Sequence, residues 1–178
     1  ELLRAYAASR GIPIRDCGKL IVALDAGEVV RLRELERRGI ANGVSGLRWL
    51  EGDELREVEP HAAGIAGLHS PTTAITDYRA VAEAFAGDVR AAGGTIHLGA
   101  EVTGIDAGLV HAGGDTFAFD RLVICAGLQS DRVARLAGDE RAPAIVPFRG
   151  EYYRLAPARE SLVRGLLYPV PDPAYPFL

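Results

Sequence analysis

The sequence has no methionine, a single lysine and only two cysteines in 178 residues. Cys17 and Cys125 lie too far apart to suggest a disulfide framework or a metal-binding spacing. Each sits in an apolar, strand-like run, so both are expected to be reduced core residues of a cytosolic protein. No apolar run approaches the roughly 20 residues that a helix needs to cross a bilayer, and no segment has the form of a signal peptide. An excess of positive charge is also missing. The net charge is −4 and the basic residues are scattered, which argues against a nucleic-acid partner. Lys19 apart, every one of the 20 basic residues is arginine. Beside abundant Ala and Gly, that skew reflects composition rather than function. Internal repeats, low-complexity linkers and metal-ligand spacings are lacking as well.

What is present begins with Arg121-Leu122-Val123-Ile124-Cys125-Ala126-Gly127-Leu128-Gln129-Ser130-Asp131. A short apolar run reaches a turn of small residues, and a helix with Val133, Leu136 and Ala137 on one face follows. The pattern predicts a buried strand feeding a turn whose backbone is bare enough for close approach by a ligand. In open α/β sheets, ligands bind outside the carboxyl ends of the strands, where such turns lie. A nucleotide-type cofactor is therefore expected at this edge.

Along the chain, helix and strand patterns alternate. Helices are expected at Leu2 to Ser9, Gly27 to Ile40 and Tyr78 to Ala92, the last capped by Asp77, with a brief one after Gly52 that ends before Pro60. Strands are expected at Cys17 to Leu24, Leu47 to Leu50, Gly64 to His69 and Thr95 to Leu98. Val102 to Ile105, Leu109 to Ala112 and Thr116 to Phe119 read as a small meander; Ile145 to Leu155 and Gly165 to Val170 read as extended segments. The length allows one domain or parts of two. The first residues already follow a helical pattern, and Pro176-Phe177-Leu178 closes the chain without a turn or cap. An internal portion of a longer polypeptide is expected.

Several segments, in order, resemble a known family. They are Cys17-Gly18-Lys19-Leu20-Ile21-Val22-Ala23, Gly67-Leu68-His69-Ser70-Pro71 leading to Thr76-Asp77-Tyr78-Arg79, and Ile124-Cys125-Ala126-Gly127-Leu128-Gln129-Ser130-Asp131-Arg132. Most specific are Ile145-Val146-Pro147-Phe148-Arg149-Gly150-Glu151-Tyr152-Tyr153 and Tyr168-Pro169-Val170-Pro171-Asp172-Pro173. Together they resemble the FAD-dependent oxidoreductases of the D-amino-acid-oxidase type, and among these the L-2-hydroxyglutarate oxidases and dehydrogenases. The resemblance implies a mixed α/β flavoprotein of two layers. Residues 1–16 and 72–142 would belong to a Rossmann-like FAD-binding domain, and 17–71 and 143–178 to an antiparallel-sheet substrate domain. The family's glycine-rich dinucleotide fingerprint and its carboxy-terminal portion have no counterpart in these 178 residues. The chain alone is expected to bind FAD poorly.

The implied reaction is oxidation of a 2-hydroxy acid by hydride transfer to FAD. Oxygen or a membrane quinone would be the final acceptor, and the location cytoplasmic, peripheral to the inner membrane. For the substrate carboxylate, Arg149 is the first candidate, since guanidinium offers a two-pronged donor and Gly150 beside it leaves room. A plain ion pair with Glu151 is the alternative. Tyr168, held between prolines, would be a rigid pocket hydroxyl or an ordinary core tyrosine. Lys19 would be a second carboxylate anchor or a snorkelling edge lysine. Tyr152 and Tyr153 should face opposite sides of their strand. His69 is the histidine best placed to accept the hydroxyl proton. His61, His97 and His111 show no partner spacing.

The resemblance lays Val102 against the adenine and sets Ala126, Gly127 and Leu128 near the dinucleotide. The acidic run Glu51, Asp53, Glu54, Glu57 and Glu59 reads as a solvated face. Two other readings stay open: a related flavoenzyme acting on an amino acid, a secondary amine or glycerol phosphate, and a non-catalytic module that binds a nucleotide or a protein.

Overall fold

A computed structural model describes residues 2–141 and 143–174. The apolar end at Pro176-Phe177-Leu178 lies outside the described residues. In chain order the elements are α1 (Leu2–Ser9), β1 (Ile14–Asp16), β2 (Lys19–Ala23), α2 (Ala26–Ala41), β3 (Arg48–Glu51), α3 (Glu54–Val58) and β4 (Ala66–Ser70). Then come β5 (Ala74–Thr76), α4 (Tyr78–Ala91), β6 (Val102–Asp106), β7 (Leu109–Ala112), β8 (Asp115–Ala118), α5 (Ser130–Leu136) and β9 (Leu166–Pro169). The chain divides into two compact units, Glu1–Phe85 with Arg154–Leu178, and Ala86–Tyr153. This is the mixed α/β architecture expected.

The first unit is built on a sheet ordered β3-β4-β2-β9. β2 is apolar on both sides because both of its faces are covered. Leu20 and Val22 pack with Leu50, Leu55 and Ala62 on one face, while Ala23 joins Leu32, Ala66, Leu68 and Val170 on the other. α2 covers that second face through Leu32. Its start is fixed chemically: the Glu28 N–H donates to Asp25 Oδ1 at 2.9 Å, and the Glu28 carboxylate accepts the Leu24 N–H at 2.7 Å. β1 and β5 form a separate antiparallel pair beside a small core of Ala7, Ile12 and Val81. Asp77 caps α4 as expected, accepting the N–H groups of Arg79 and Ala80.

The substrate-layer sheet was expected to be antiparallel, yet β9 runs parallel to β2 while β3 and β4 pair antiparallel. In the second unit, β6, β7 and β8 make the anticipated meander. Three expected strands are absent among the described residues. Thr95 to Leu98, Leu122 to Ala126 and Ile145 to Leu155 carry strand-like side chains but hydrogen-bond in no sheet. A strand is a pairing, and β-branched composition alone does not supply the partner. As a consequence Cys125 is exposed rather than a core residue. Likewise, Tyr152 and Tyr153 do not divide between two faces of a strand; they are 96% and 97% exposed.

Candidate functional site

In the first unit, two of the substrate-side candidates meet. Lys19 opens β2 and Tyr168 lies on β9, where the register sets Lys19 opposite Leu166 and Ile21 opposite Tyr168. Lys19 Nζ stands 5.1 Å from the centre of the Tyr168 ring, within range for attraction between a cation and the ring face. Lys19 is not at the sheet edge, because β2 lies between β4 and β9. Tyr168 remains 47% exposed, so the ammonium and the phenol are presented together at the border of the α2-covered face. Ser70 and Thr73 line a groove of about 270 Å³ with Lys19, and their hydroxyls are 3.0 Å apart.

His69 pairs with Leu20 across the β2–β4 ladder and with Arg48 across β3–β4. Directly opposed residues share a face, and neighbours along a strand alternate. The His69 ring therefore faces away from Lys19 and Tyr168. Its Nδ1 is buried with no hydrogen-bond partner, and Gly18 is so close that a Cβ there would stand 3.0 Å from Nε2. Desolvation by burial, reinforced by the Arg48 guanidinium, pushes the imidazole below its ordinary value and keeps it neutral.

In the second unit, a groove of about 590 Å³ opens between β6 and the turn into α5. Val102 and Ala126, which the family resemblance sets near the cofactor, line it with Glu101, Gln129, Arg132 and Val133. Gly127 and Leu128 stand in the adjoining single turn of 3-10 helix and are not among its lining residues. Gly127 has φ +56°, a conformation that favours glycine, and a Cβ there would meet only open space. An apolar wall, an amide, a carboxylate and a guanidinium suit a nucleotide, whose ring can lie on the wall while Arg132 meets phosphate. The residues thus fit part of FAD.

Beneath the groove, Asp131 accepts the Ile145 N–H at 3.1 Å and the Arg132 N–H at 2.9 Å. The Ile145 amide first, and Arg135 and Arg132 with it, hold the Asp131 carboxyl below the usual carboxylate range. This clasp gives the second unit an anchor for the 143–153 segment that sequence patterning did not reveal. Arg149, by contrast, stands in that unpaired segment with its side chain 87% exposed and 3.7 Å from Glu151.

Two further residues differ from the sequence reading. His111 does have partners, Asp106 at 2.7 Å and Thr116 at 3.1 Å, on the outside of the meander. Glu59, read as part of a solvated acidic face, is 3% exposed.

Comparison with known proteins gives these sites a context. The family described as FAD dependent oxidoreductase matches residues 1–177. The chain belongs to that family. It is 42% identical over its whole length to L-2-hydroxyglutarate dehydrogenase of Indibacter alkaliphilus, covering 46% of that protein. Against the mitochondrial L-2-hydroxyglutarate dehydrogenase of Homo sapiens it is 39% identical over 99% of the chain and 42% of the relative. The chain thus spans under half the length of these curated relatives. In three dimensions it resembles the FAD-bound, dithionite-reduced L-α-glycerophosphate oxidase of Mycoplasma pneumoniae. There the TM-score is 0.70 at 22% identity, over 90% of this chain and 44% of that one. That likeness supports the fold of an FAD-binding oxidoreductase.

Proposed function

We propose that the protein carrying this chain oxidises L-2-hydroxyglutarate to 2-oxoglutarate with FAD. The observation that carries the proposal is identity of about 40% with L-2-hydroxyglutarate dehydrogenases, sustained over essentially the whole chain. When bound, the flavin takes up the hydride that leaves C2 of the substrate. This chain supplies binding and orientation. Lys19 and Tyr168 together offer a cation and a hydroxyl to one substrate carboxylate, and Tyr168 is stiffened by Pro169 and Pro171. Val102 and Ala126 form the wall on which the nucleotide part of FAD rests, with Gly127 shaping the turn beside them. Leu128 follows in the same turn and contributes through its backbone.

His69 faces the other side of the sheet from Lys19 and Tyr168, so a carboxylate held by that pair does not meet its imidazole. We therefore keep the pair and release His69 from the role of proton acceptor. Arg149, exposed beside Glu151, has no contact here that speaks for substrate, and its contribution is tested by Arg149→Ala. The reduced flavin would pass its electrons to oxygen or a membrane quinone. Among the described residues, no helix is long and apolar enough to cross a membrane.

The test is a substrate panel on the full-length protein: L- and D-2-hydroxyglutarate, glycerol phosphate, glycine, proline and sarcosine. Turnover confined to L-2-hydroxyglutarate is expected. Equal or better turnover of glycerol phosphate or an amino acid would overturn the assignment.

A further inference from the structure

Glu59 is the one buried charged side chain among the described residues. It follows α3 at the end of an acidic run whose other members stand partly or fully in solvent. Its carboxylate accepts the backbone N–H of Arg164, 3.1 Å from each oxygen, and the backbone N–H of Gly165. Hydrogen bonds to an ionised acceptor are the stronger kind, and these link residues more than a hundred positions apart in sequence. Arg164 and Gly165 are the approach to β9.

The opposite side of this crossing is equally closed. A Cβ on Gly165 would collide with the Cys17 carbonyl oxygen and stand 3.2 Å from that of Gly18. The Leu166 N–H donates to the same Gly18 oxygen at 3.1 Å. Arg164–Gly165 is therefore clamped between Glu59 and Cys17–Gly18, immediately before Lys19. Among the described residues, β9 is an edge strand of four residues whose one sheet neighbour is β2. A slip of one residue along β2 would carry Tyr168 to the other face.

We propose that Glu59 is a positioning residue: by holding Arg164 and Gly165 against Cys17 and Gly18, it sets the register of β9 on β2 and keeps the Tyr168 ring over Lys19. It touches no substrate and acts through Tyr168. The functional half of the proposal rests on the reading of Lys19 and Tyr168 as substrate-side groups, whereas the structural half stands on the clamp alone.

The experiment compares Glu59→Gln, Glu59→Ala and Tyr168→Phe in the full-length protein, by steady-state kinetics with L-2-hydroxyglutarate and by hydrogen exchange of the 164–170 segment. Glutamine keeps one acceptor oxygen and turns the other into a donor, so it loses part of the clamp; alanine loses all of it. Exchange at Leu166 to Tyr168 is expected to quicken about tenfold in Glu59→Gln and more in Glu59→Ala, ahead of the rest of the sheet. KM should rise in the same order, in the direction set by Tyr168→Phe, with kcat little changed. A merely structural Glu59 would lower the folded fraction without splitting KM from kcat. Unchanged exchange in both Glu59 variants overturns the proposal, as does faster exchange with an unchanged KM when Tyr168→Phe raises it. If Tyr168→Phe itself leaves KM unchanged, the substrate-side reading falls, and faster exchange in Glu59→Gln still supports the clamp.

Discussion

Gly127→Val strikes the turn beside the proposed nucleotide groove. The backbone there has φ +56°, which costs an L-residue roughly 1–2 kcal/mol, and a β-branched one is at the upper end. No neighbour lies within 4 Å of where the new Cβ would stand, so the strain is conformational and not a collision within the protein. It has two outlets. Either the turn keeps its shape and stability falls by about 1–2 kcal/mol, or Gly127 turns to negative φ and re-aims Ala126 and Gln129, which line the groove. In the first outlet the valine side chain occupies the open space a cofactor approaching the turn would need, and in the second the groove lining moves; flavin binding then weakens by a factor of about ten for each 1.4 kcal/mol lost from the bound state.

Gly127→Asn separates strain from obstruction, because asparagine tolerates this conformation while still placing a side chain in the open space. Urea unfolding gives the stability term. Flavin content after gel filtration, with Kd from fluorescence quenching, gives the binding term. We expect loss of flavin in the valine variant at modest cost in stability, and weakened binding in the asparagine variant at almost none. A valine variant with the expected stability loss and a wild-type flavin Kd would refute the idea that this turn approaches the cofactor.

Other consequences are equally direct. Leu50 is 1% exposed in the core beneath β2, so Leu50→Ala should cost about 3–5 kcal/mol in urea unfolding; a loss under 1 kcal/mol would mean that this core is not packed as described. Asp131 is held below the usual carboxylate range in the fold, so its stabilisation is present above the unfolded value near 3.9 and is lost as pH falls through the folded one. Asp131→Asn should therefore lower stability at pH 7 and flatten the acid limb of the stability curve, and an unchanged acid limb would contradict the clasp on Ile145. His69 carries the same sign for a different reason: burial disfavours its charged form, its folded value is depressed, and stability falls as pH drops below about 6.5 towards the folded value. An imidazole titration by NMR should find its midpoint below the ordinary histidine value; a midpoint at that value would show a solvated ring, and one above it a ring paired with an acid, and either would contradict the burial.

Where residues carry their own signal, the sequence was legible. The apolar run from Leu20 to Ala23, the amphipathic pattern of α2 and the Asp77 cap of α4 are each local, and each element appears within a residue or two of where the pattern puts it. The meander from Val102 to Ala118 was readable for the same reason, since its turns are short and glycine-marked. The segments at Leu122 and Ile145 misled because strand formation depends on a neighbour, which composition does not encode. Of the candidate site, the pairing of Lys19 with Tyr168 arises from a parallel contact between strands nearly 150 residues apart, so neither residue announces the other. Glu59 was invisible for a related reason: its partners are backbone N–H groups, which have no sequence identity. The alternation rule could have separated His69 from Lys19, but only once the β2–β4 register was known.

We propose that the flavoprotein carrying this chain oxidises L-2-hydroxyglutarate. The most direct test is the visible spectrum of the purified full-length protein, recorded without oxygen before and after that substrate is added. Flavin bands that bleach with L-2-hydroxyglutarate, and not with the D-isomer, are the predicted result. Flavin bands that persist with L-2-hydroxyglutarate but bleach with glycerol phosphate or an amino acid would contradict it.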